Sequence, residues 1–190
     1  VLFMIPMVVP LIVVLLTWKF IYHPTDGVLN QVLGLIGLEQ FQRIWLADFD
    51  TALWSVIGIG FPWVTGLGIS GFALLIYLAG LQKISQDVMD ALTVDGASLL
   101  TRIFRVELPL IADQIKVIAV LTTINTLQVY VPVMIMTGGG PSNASLVPGL
   151  YLYQSAFHHD RFGYAASIGV MMAIILVLMT MVTNRFVRTR

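Results

Sequence analysis

Among the polar side chains inside the long uncharged stretches of this largely apolar sequence, five are candidates for binding a polar solute. They are Thr65, Ser70, Thr122, Asn125 and Gln128. Hydroxyl and amide groups donate and accept hydrogen bonds. Leaving one unpaired in hydrocarbon costs several kcal/mol, so each must bind either a polar solute or a neighbouring helix. The sequence supports both interpretations equally. Thr122 and Asn125 are three residues apart and therefore share one face of a helix.

Groups that could carry out catalysis are missing from the same stretches. The sequence has no cysteine, and no Asp, Glu or His lies inside the uncharged runs away from their ends. A nucleophile with its base, or a metal centre, would need such residues. His158 and His159 are adjacent rather than four residues apart, which disfavours a metal site. No Gly-x-x-x-x-Gly-Lys-Ser/Thr motif occurs, so we expect no ATP-hydrolysing site. The sequence therefore predicts a protein that is not an enzyme and has no cofactor.

The elements that must position the five polar residues are long apolar helices. Hydrophobic residues make up 58% of the 190 and charged residues only 11%, against about 25% charged in soluble domains. A membrane's hydrocarbon core of about 30 Å requires about 20 apolar residues in a helix. We therefore predict an all-α, polytopic membrane helix bundle. Its spanning helices are predicted at about 1–20, 53–81, 110–136 and 164–184.

Two further features concern the limits of these spans. The turn-forming sequence from Gly138 to Asn143 separates the last two spans. The chain begins at Val1 inside an apolar run, without an initiator Met or a basic segment. We therefore expect residues 1–190 to be an N-terminally incomplete transmembrane domain.

The basic residues favour one orientation of the bundle. Three lie in segment 83–109 and three in the C-terminal tail, whereas the alternate loops 20–52 and 137–163 and their borders hold only Lys19, Arg43 and Arg161. Because short cytoplasmic loops carry an excess of Lys and Arg, we predict that 83–109 is a cytoplasmic loop and that 137–163 is extracytoplasmic. Six aromatic residues near the outer helix ends are expected to lie at the headgroup level. They are Trp18, Tyr22, Trp45, Trp54, Tyr151 and Tyr153.

Segment 83–109 is longer than a simple connection and has helical signals of its own. Ser85 suits an N-cap and Asp87 a first turn. Gly96 can end this helix, and Ser98 can cap a second one. Pro109 then falls in the first turn of the next membrane helix. The pattern predicts a short amphipathic helical hairpin that offers one face to a partner.

At these residues the sequence resembles the permease subunits of binding-protein-dependent ABC importers. Their signature is Glu-Ala-Ala, a Gly four residues later, nine residues, and then Ile-x-Leu-Pro. Asp90-Ala91-Leu92, Gly96 and Val106-Glu107-Leu108-Pro109 keep this register, with Asp for Glu, Leu for Ala and Val for Ile. The triplet Asp95-Gly96-Ala97 resembles carbohydrate importers.

A second resemblance lies beyond the third predicted span. Thr137-Gly138-Gly139-Gly140-Pro141, the aromatic run 151–157 and the segment 162–166 are similar to the first permease subunit of maltose and glycerol-phosphate systems. The resemblance implies a six-helix core, of which four helices are present here. It further implies a sugar or sugar-like solute and the prokaryotic cytoplasmic membrane. The implied partners are a second permease subunit, a cytoplasmic ATPase dimer that binds ATP, an extracytoplasmic solute-binding protein and membrane lipid, with no nucleic acid.

The same resemblance implies two sets of site residues. One set would dock on the ATPase and comprises Asp87, Asp90, Ala91, Leu92, Asp95, Gly96, Ala97 and Pro109. The other would line a solute site near mid-membrane and comprises the five polar residues introduced above, Thr65, Ser70, Thr122, Asn125 and Gln128. In this interpretation Asp90 pairs with a basic group of the ATPase, and Gly96 permits the turn between the two short helices.

Two other classes of protein remain as alternatives. An ion-coupled secondary transporter that works alone is the closer one, although such a protein would be expected to place carboxylates inside the membrane. A membrane-embedded enzyme comes third, because the uncharged stretches have no catalytic constellation.

Overall fold

Helices make up most of the described structure. The computed structural model describes residues 8–59 and 71–186, and every regular element in these two ranges is a helix, which confirms the all-α prediction. The helices are α1 Leu11–Ile21, α2 Val28–Leu35, α3 Ala52–Ile57, α4 Gly71–Leu81, α5 Gln86–Val94, α6 Leu99–Arg102, α7 Leu108–Leu110, α8 Ala112–Gln128, α9 Val131–Met136, α10 Pro148–Phe157 and α11 Phe162–Phe186.

Within the described ranges, two stretches are long and apolar enough to cross a membrane. They are Ala112–Met136 and Phe162–Arg185. The second agrees with the predicted span 164–184. Of the predicted span 53–81, the structure describes α3 and α4, and the residues between Ile59 and Gly71 lie outside the described ranges.

Two of the spans were predicted as continuous helices, and this was wrong, because a proline interrupts each of them. Among the described residues, α1 begins at Leu11, after Pro10, whose backbone angles of φ −57° and ψ 133° are not helical. The third span is broken after Gln128, where Val129 is extended and α9 starts at Val131. Pro132 has no N–H to donate to the carbonyl of Gln128, and in a continuous helix its ring would clash with that carbonyl.

The largest cluster of buried apolar side chains lies where α1, α3, α9 and α10 meet. Its fully or nearly buried members are Leu15, Tyr22, Val56, Ile59, Val133, Met136 and Leu150. Burial raises the pKa of the Tyr22 hydroxyl above its ordinary value, so the phenol stays neutral at physiological pH. Trp18, Trp45 and Tyr153 pack against this cluster. Trp54, by contrast, is well exposed. The placement of the six aromatic residues at the headgroup level stays a prediction.

Around this cluster the long helix α11 packs against α8 and α10, and α4 packs against α8. The two helices that flank segment 83–109 are therefore in direct contact. This arrangement lets a displacement of the segment reach both helices together.

Asn30 organises the segment between α1 and α3. Its side chain is buried, and its Nδ2 donates to the carbonyls of Pro24 and Arg43, each at 3.0 Å. Its Oδ1 accepts from the Trp45 indole at 2.8 Å and from the backbone N–H of Arg43 at 3.3 Å. A buried amide with all these partners fixes one conformation of the segment. The sequence analysis did not anticipate this role.

The loop after α9 is equally compact. The hydroxyl of Ser145 is buried and lies 2.7 Å from both the Thr137 hydroxyl and the Gly140 carbonyl oxygen. Gly138 and Gly139 have φ of 64° and 94°, values that a glycine adopts without strain. The turn predicted at 138–143 is confirmed, but the predicted loop also contains the ten-residue helix α10.

Candidate functional site

Segment 83–109 forms the predicted pair of short helices, and Gly96 makes the bend between them. The N–H of Gly96 donates to the Thr93 carbonyl at 3.2 Å, and the N–H of Ala97 donates to the Leu92 carbonyl at 3.0 Å. With Gly96 at φ 65°, these two bonds form a Schellman motif, the standard C-terminal cap that requires a left-handed residue. The role predicted for Gly96 as the end of this helix is confirmed.

Both short helices begin at the predicted serines, but only one of the two serine side chains forms a capping hydrogen bond. The Ser98 hydroxyl accepts a 3.3 Å hydrogen bond from the Thr101 N–H, so it caps α6 as predicted. Ser85 occupies the N-cap position of α5, but its side chain makes no capping bond to any described residue. The backbone carbonyl of Ser85 instead accepts from Val88 at 3.2 Å.

The second short helix does not end before the membrane helix. After α6 the chain continues through a π-helical turn, Ile103–Glu107, into α7 and then α8. Arg102 and Glu107 form an ion pair across this turn, with Nε and Oε1 2.6 Å apart. Pro109 lies in the first turn of α7, which precedes α8, rather than in the first turn of the long helix itself. The segment is thus joined to α8 almost without interruption.

Most of the residues assigned to partner docking are exposed. Asp87, Asp90, Ala91, Asp95, Gly96 and Pro109 are exposed, and Leu92 and Ala97 are partly buried. Only one oxygen of Asp90 has a described partner, the Gln86 amide nitrogen at 3.0 Å. Its second oxygen is therefore available to a basic group of another protein.

Large apolar side chains are exposed next to these carboxylates. Val94, Leu99, Leu100 and Phe104 are all more than half exposed. A soluble surface rarely gathers so many apolar side chains without a partner. The segment therefore presents acidic and apolar groups together, which suits a protein cleft.

Gln114 is a residue at this end of the bundle that the sequence analysis missed. It lies at the start of α8 and packs over the buried Gly80 near the end of α4. A Cβ at Gly80 would be 2.9 Å from Cγ and Cδ of Gln114. The buried Oε1 of Gln114 has no hydrogen-bond partner among the described residues. The sequence shows only a glycine near the end of one predicted helix and a glutamine near the start of the next, and it does not show that the two residues are in contact.

The solute candidates on α8 fall on its exposed side. Thr122, Asn125 and Gln128 are exposed, and their side chains make no hydrogen bond to a described residue. Thr123, by contrast, donates to the carbonyl of Ala119 at 2.8 Å within its own helix. The structure thus brings three of the five predicted residues to one helix. Thr65 and Ser70 lie outside the described residues.

A cavity of about 360 Å³ lies beside the break between α8 and α9. Gln128, Tyr130, Tyr153 and Phe157 are among its lining residues. The rings of Tyr130 and Tyr153 are stacked with centroids 5.4 Å apart. Gly149 lets α10 approach the break closely, because a Cβ there would be 3.0 Å from the Val129 carbonyl oxygen.

Among the described residues, no group of three or more His, Cys, Asp or Glu side chains is placed to hold a metal ion. The described residues offer hydrogen bonding, apolar contact and the exposed charges of segment 83–109. Such groups suit passage of a solute and contact with partners.

Comparison with known proteins identifies the class of this arrangement. The sequence model of the family described as "Binding-protein-dependent transport system inner membrane component" matches residues 1–189. The chain belongs to this family of permease subunits, as the motif at Asp90, Gly96 and Pro109 predicted.

Three relatives illustrate the range of the family. The chain is 35% identical over 187 residues to the probable ABC transporter permease protein YurN of Bacillus subtilis, covering 98% of the chain and 62% of the relative. It is 33% identical to the sulfoquinovosyl glycerol permease SmoG of Agrobacterium fabrum, covering 98% and 58%. It is 30% identical to the trehalose/maltose permease MalF of Thermococcus litoralis, covering 98% and 61%. The chain thus spans about three-fifths of the length of these relatives.

The fold also occurs in a solved transporter. A chain of a bacterial ABC transporter involved in the import of the acidic polysaccharide alginate superposes with a TM-score of 0.81 at 23% identity, covering 97% of this chain and 62% of that one. The same transporter in complex with an alginate pentasaccharide-bound periplasmic protein gives a TM-score of 0.77. These similarities establish the fold of an ABC importer permease.

Proposed function

We propose that this chain forms half of the translocation pathway of an ABC importer in a prokaryotic cytoplasmic membrane, which it crosses several times. A second permease subunit supplies the other half, an extracytoplasmic binding protein delivers the solute, and a separate ATPase dimer binds and hydrolyses ATP. The observation that carries the proposal is the exposed hairpin centred on Gly96, which continues into α8 through the turn that holds Arg102 and Glu107.

The hairpin is the coupling segment, defined here as residues 83–109. Asp90 binds a basic group of the ATPase, and the exposed Leu99, Leu100 and Phe104 fill an apolar cleft beside it. Because α4 and α8 pack on each other at Gly80 and Gln114, movement of the docked segment turns both helices together. ATP-driven closure of the ATPase dimer is thereby converted into opening of the pathway on one side.

The solute is a sugar or a sugar-like molecule. SmoG and MalF are named for sulfoquinovosyl glycerol and for trehalose and maltose, respectively. The exposed hydroxyl and amide groups of Thr122, Asn125 and Gln128 suit a polyhydroxy compound, since each can donate and accept hydrogen bonds. Thr65 and Ser70, on the other flanking segment, complete this set.

Purification of the tagged chain from its native membrane tests the proposed function. An ATPase and a second permease should co-elute in a defined ratio, and ATP hydrolysis should rise when binding protein and solute are added. Single cysteines at Ser98 and Ser142 should label from the cytoplasmic and the outer side, respectively. An ion-coupled secondary transporter, the alternative function, would transport solute alone in vesicles without an ATPase, and that result would overturn the proposal.

Solute contact is tested with a matched pair of variants on α8. Asn125→Ala should reduce transport without dissociating the complex, because the amide contacts solute. Thr123→Ala is the control, since the Thr123 hydroxyl is already bound to Ala119 within the helix. If Asn125→Ala transports normally over a range of solute concentrations, Asn125 has only a packing role.

A further inference from the structure

Helix α2 exposes three aliphatic side chains and buries one polar side chain, the reverse of what is expected for these residues on a water-exposed helix. Its polar Asn30 is only 6% exposed and faces inward, where its amide is fully hydrogen bonded. Its aliphatic Val28, Val32 and Leu35 are 46%, 45% and 87% exposed. A surface helix normally turns its apolar stripe to the core and its polar face to water. Something apolar must therefore cover the outer face of α2.

The three aliphatic residues form one continuous stripe. They are spaced at i, i+4 and i+7, which places them on the same side of a helix. Ile36, just after the helix, extends the stripe and is 61% exposed. No charged residue lies within Val28–Leu35.

The position of α2 is fixed next to the outer end of α1. A Cβ at Gly27 would lie 2.6 Å from the carbonyl oxygen of Ile21, the last residue of α1. Leu29, on the inner side of α2, packs against the cluster that contains Leu15 and Tyr22. Because eight helical residues extend only about 12 Å, α2 stays near the level at which α1 leaves the membrane.

The apolar surface of α1 reaches this level. Leu16 and Phe20 on α1 are 55% and 60% exposed, so exposed apolar side chains continue from α1 towards the start of α2. Protein interfaces are enriched in aromatic and Arg side chains, whereas the exposed side of α2 carries aliphatic side chains and the uncharged amide of Gln31. Acyl chains require no directional contacts, and they match such a face.

We propose that α2 lies in the outer interface of the membrane, with Val28, Val32, Leu35 and Ile36 in contact with phospholipid acyl chains. The helix thereby fixes the depth of the outer segment 22–51, to which Asn30 ties it. This inference concerns a different surface from the coupling segment, but it relies on the proposed placement of α1 in the membrane.

Spin labels at single cysteines in this cysteine-free chain test the inference in the complete transporter, reconstituted in zwitterionic phospholipid nanodiscs without binding protein. Labels at Val32 and Leu35 should collide readily with oxygen and poorly with a water-soluble nickel chelate. A label at Ser142, in the loop after α9, is the water-exposed control and should show the reverse. Because Val32 and Leu35 are exposed, cysteine at either position should leave the fold intact.

The other outcomes separate the inference from the proposed function. Chelate access at Val32 and Leu35 would show that α2 faces water. Protection from both reagents would show that a protein covers it. Either result overturns the inference. Labels at Leu16 and Ile174 report on the membrane placement of α1 and α11, and chelate access at both would contradict the proposed function itself.

Discussion

Nε of Arg102 lies 2.6 Å from Oε1 of Glu107, across the π-helical turn that joins the coupling segment to α8. Such wide turns inside helices occur frequently at functional sites. The pair links the last residue of α6 to the last residue of the turn, so it holds the geometry through which displacement of the segment would reach the membrane helix.

Removing this ion pair should impair coupling more than stability. The side chains of Arg102 and Glu107 are 42% and 17% exposed, so water reaches the pair from the Arg102 side, and solvent-exposed pairs contribute only about 0 to 1 kcal/mol. Glu107→Gln should therefore leave the melting temperature nearly unchanged while more ATP is hydrolysed per solute imported. Arg105→Gln, at an exposed residue of the same turn, is the control. A normal ratio of ATP hydrolysis to solute import in Glu107→Gln would show that the ion pair has no role in coupling.

A substitution at Gly96 should disturb the bend through its backbone conformation and not through a steric clash with neighbouring atoms. No described atom lies within 4 Å of a Cβ built at Gly96, but its φ is 65°. A left-handed conformation costs an L-residue about 1 to 2 kcal/mol, and more if the side chain is β-branched, whereas Asn tolerates it. Gly96→Val should therefore impair ATPase binding and transport, and Gly96→Asn should retain most of both. Equal activity of the two variants would contradict the assigned bend.

Asn30 should be essential to the outer segment. Asn30→Ala would leave the partly buried Trp45 indole and the backbone groups of Arg43 without their partner, and an unsatisfied group costs about 1 to 3 kcal/mol when it is fully buried and less when water reaches it. We expect the melting temperature to fall and protease cleavage between residues 22 and 51 to increase. Gln31→Ala is the control, because Gln31 is exposed and makes a single bond of 3.3 Å. Unchanged protease resistance in Asn30→Ala would show that the network is dispensable.

Close packing at the helix break should make Gly149 sensitive to a single methyl group. A Cβ at Gly149 would lie 3.0 and 3.2 Å from two backbone carbonyl oxygens, whereas a Cβ at Gly163 meets no described atom within 4 Å. Overpacking of this kind costs about 1 to 3 kcal/mol. Gly149→Ala should lower the thermal stability of the purified transporter. Gly163→Ala should leave it unchanged or raise it by up to about 1 kcal/mol. A reversed order of the two variants would contradict this packing.

The sequence predicted the coupling segment well because its structure depends on local signals. Ser98 and Gly96 act through backbone groups a few residues away, and their roles follow from residue type and position alone. The prolines were harder to interpret, since Pro109 is accommodated between a π-helical turn and α8 whereas Pro132 breaks its helix. Whether a proline is accommodated in a helix or breaks it depends on the tertiary packing at its site.

Other features could not be predicted from the sequence, because they join residues that are far apart along the chain. The contacts of Asn30 with Arg43 and Trp45 span 13 and 15 positions, and periodicity does not reveal such pairs. Gln114 opposite Gly80 is a similar case. The solute site was foreseen in part, since Thr122 and Asn125 share the exposed face of α8, but their contact with solute stays a prediction.

Asp90 provides the most direct test of the proposed coupling role. Breaking one partner of a desolvated charge pair costs about 2 to 5 kcal/mol, which weakens binding by about 30-fold or more. The measurement compares Asp90→Lys with Asp90→Glu for ATPase co-purification and for transport. Asp90→Lys should lose the ATPase or uncouple hydrolysis from transport while it retains the second permease, and Asp90→Glu should behave as the native chain. Normal assembly and normal transport in Asp90→Lys would contradict the account.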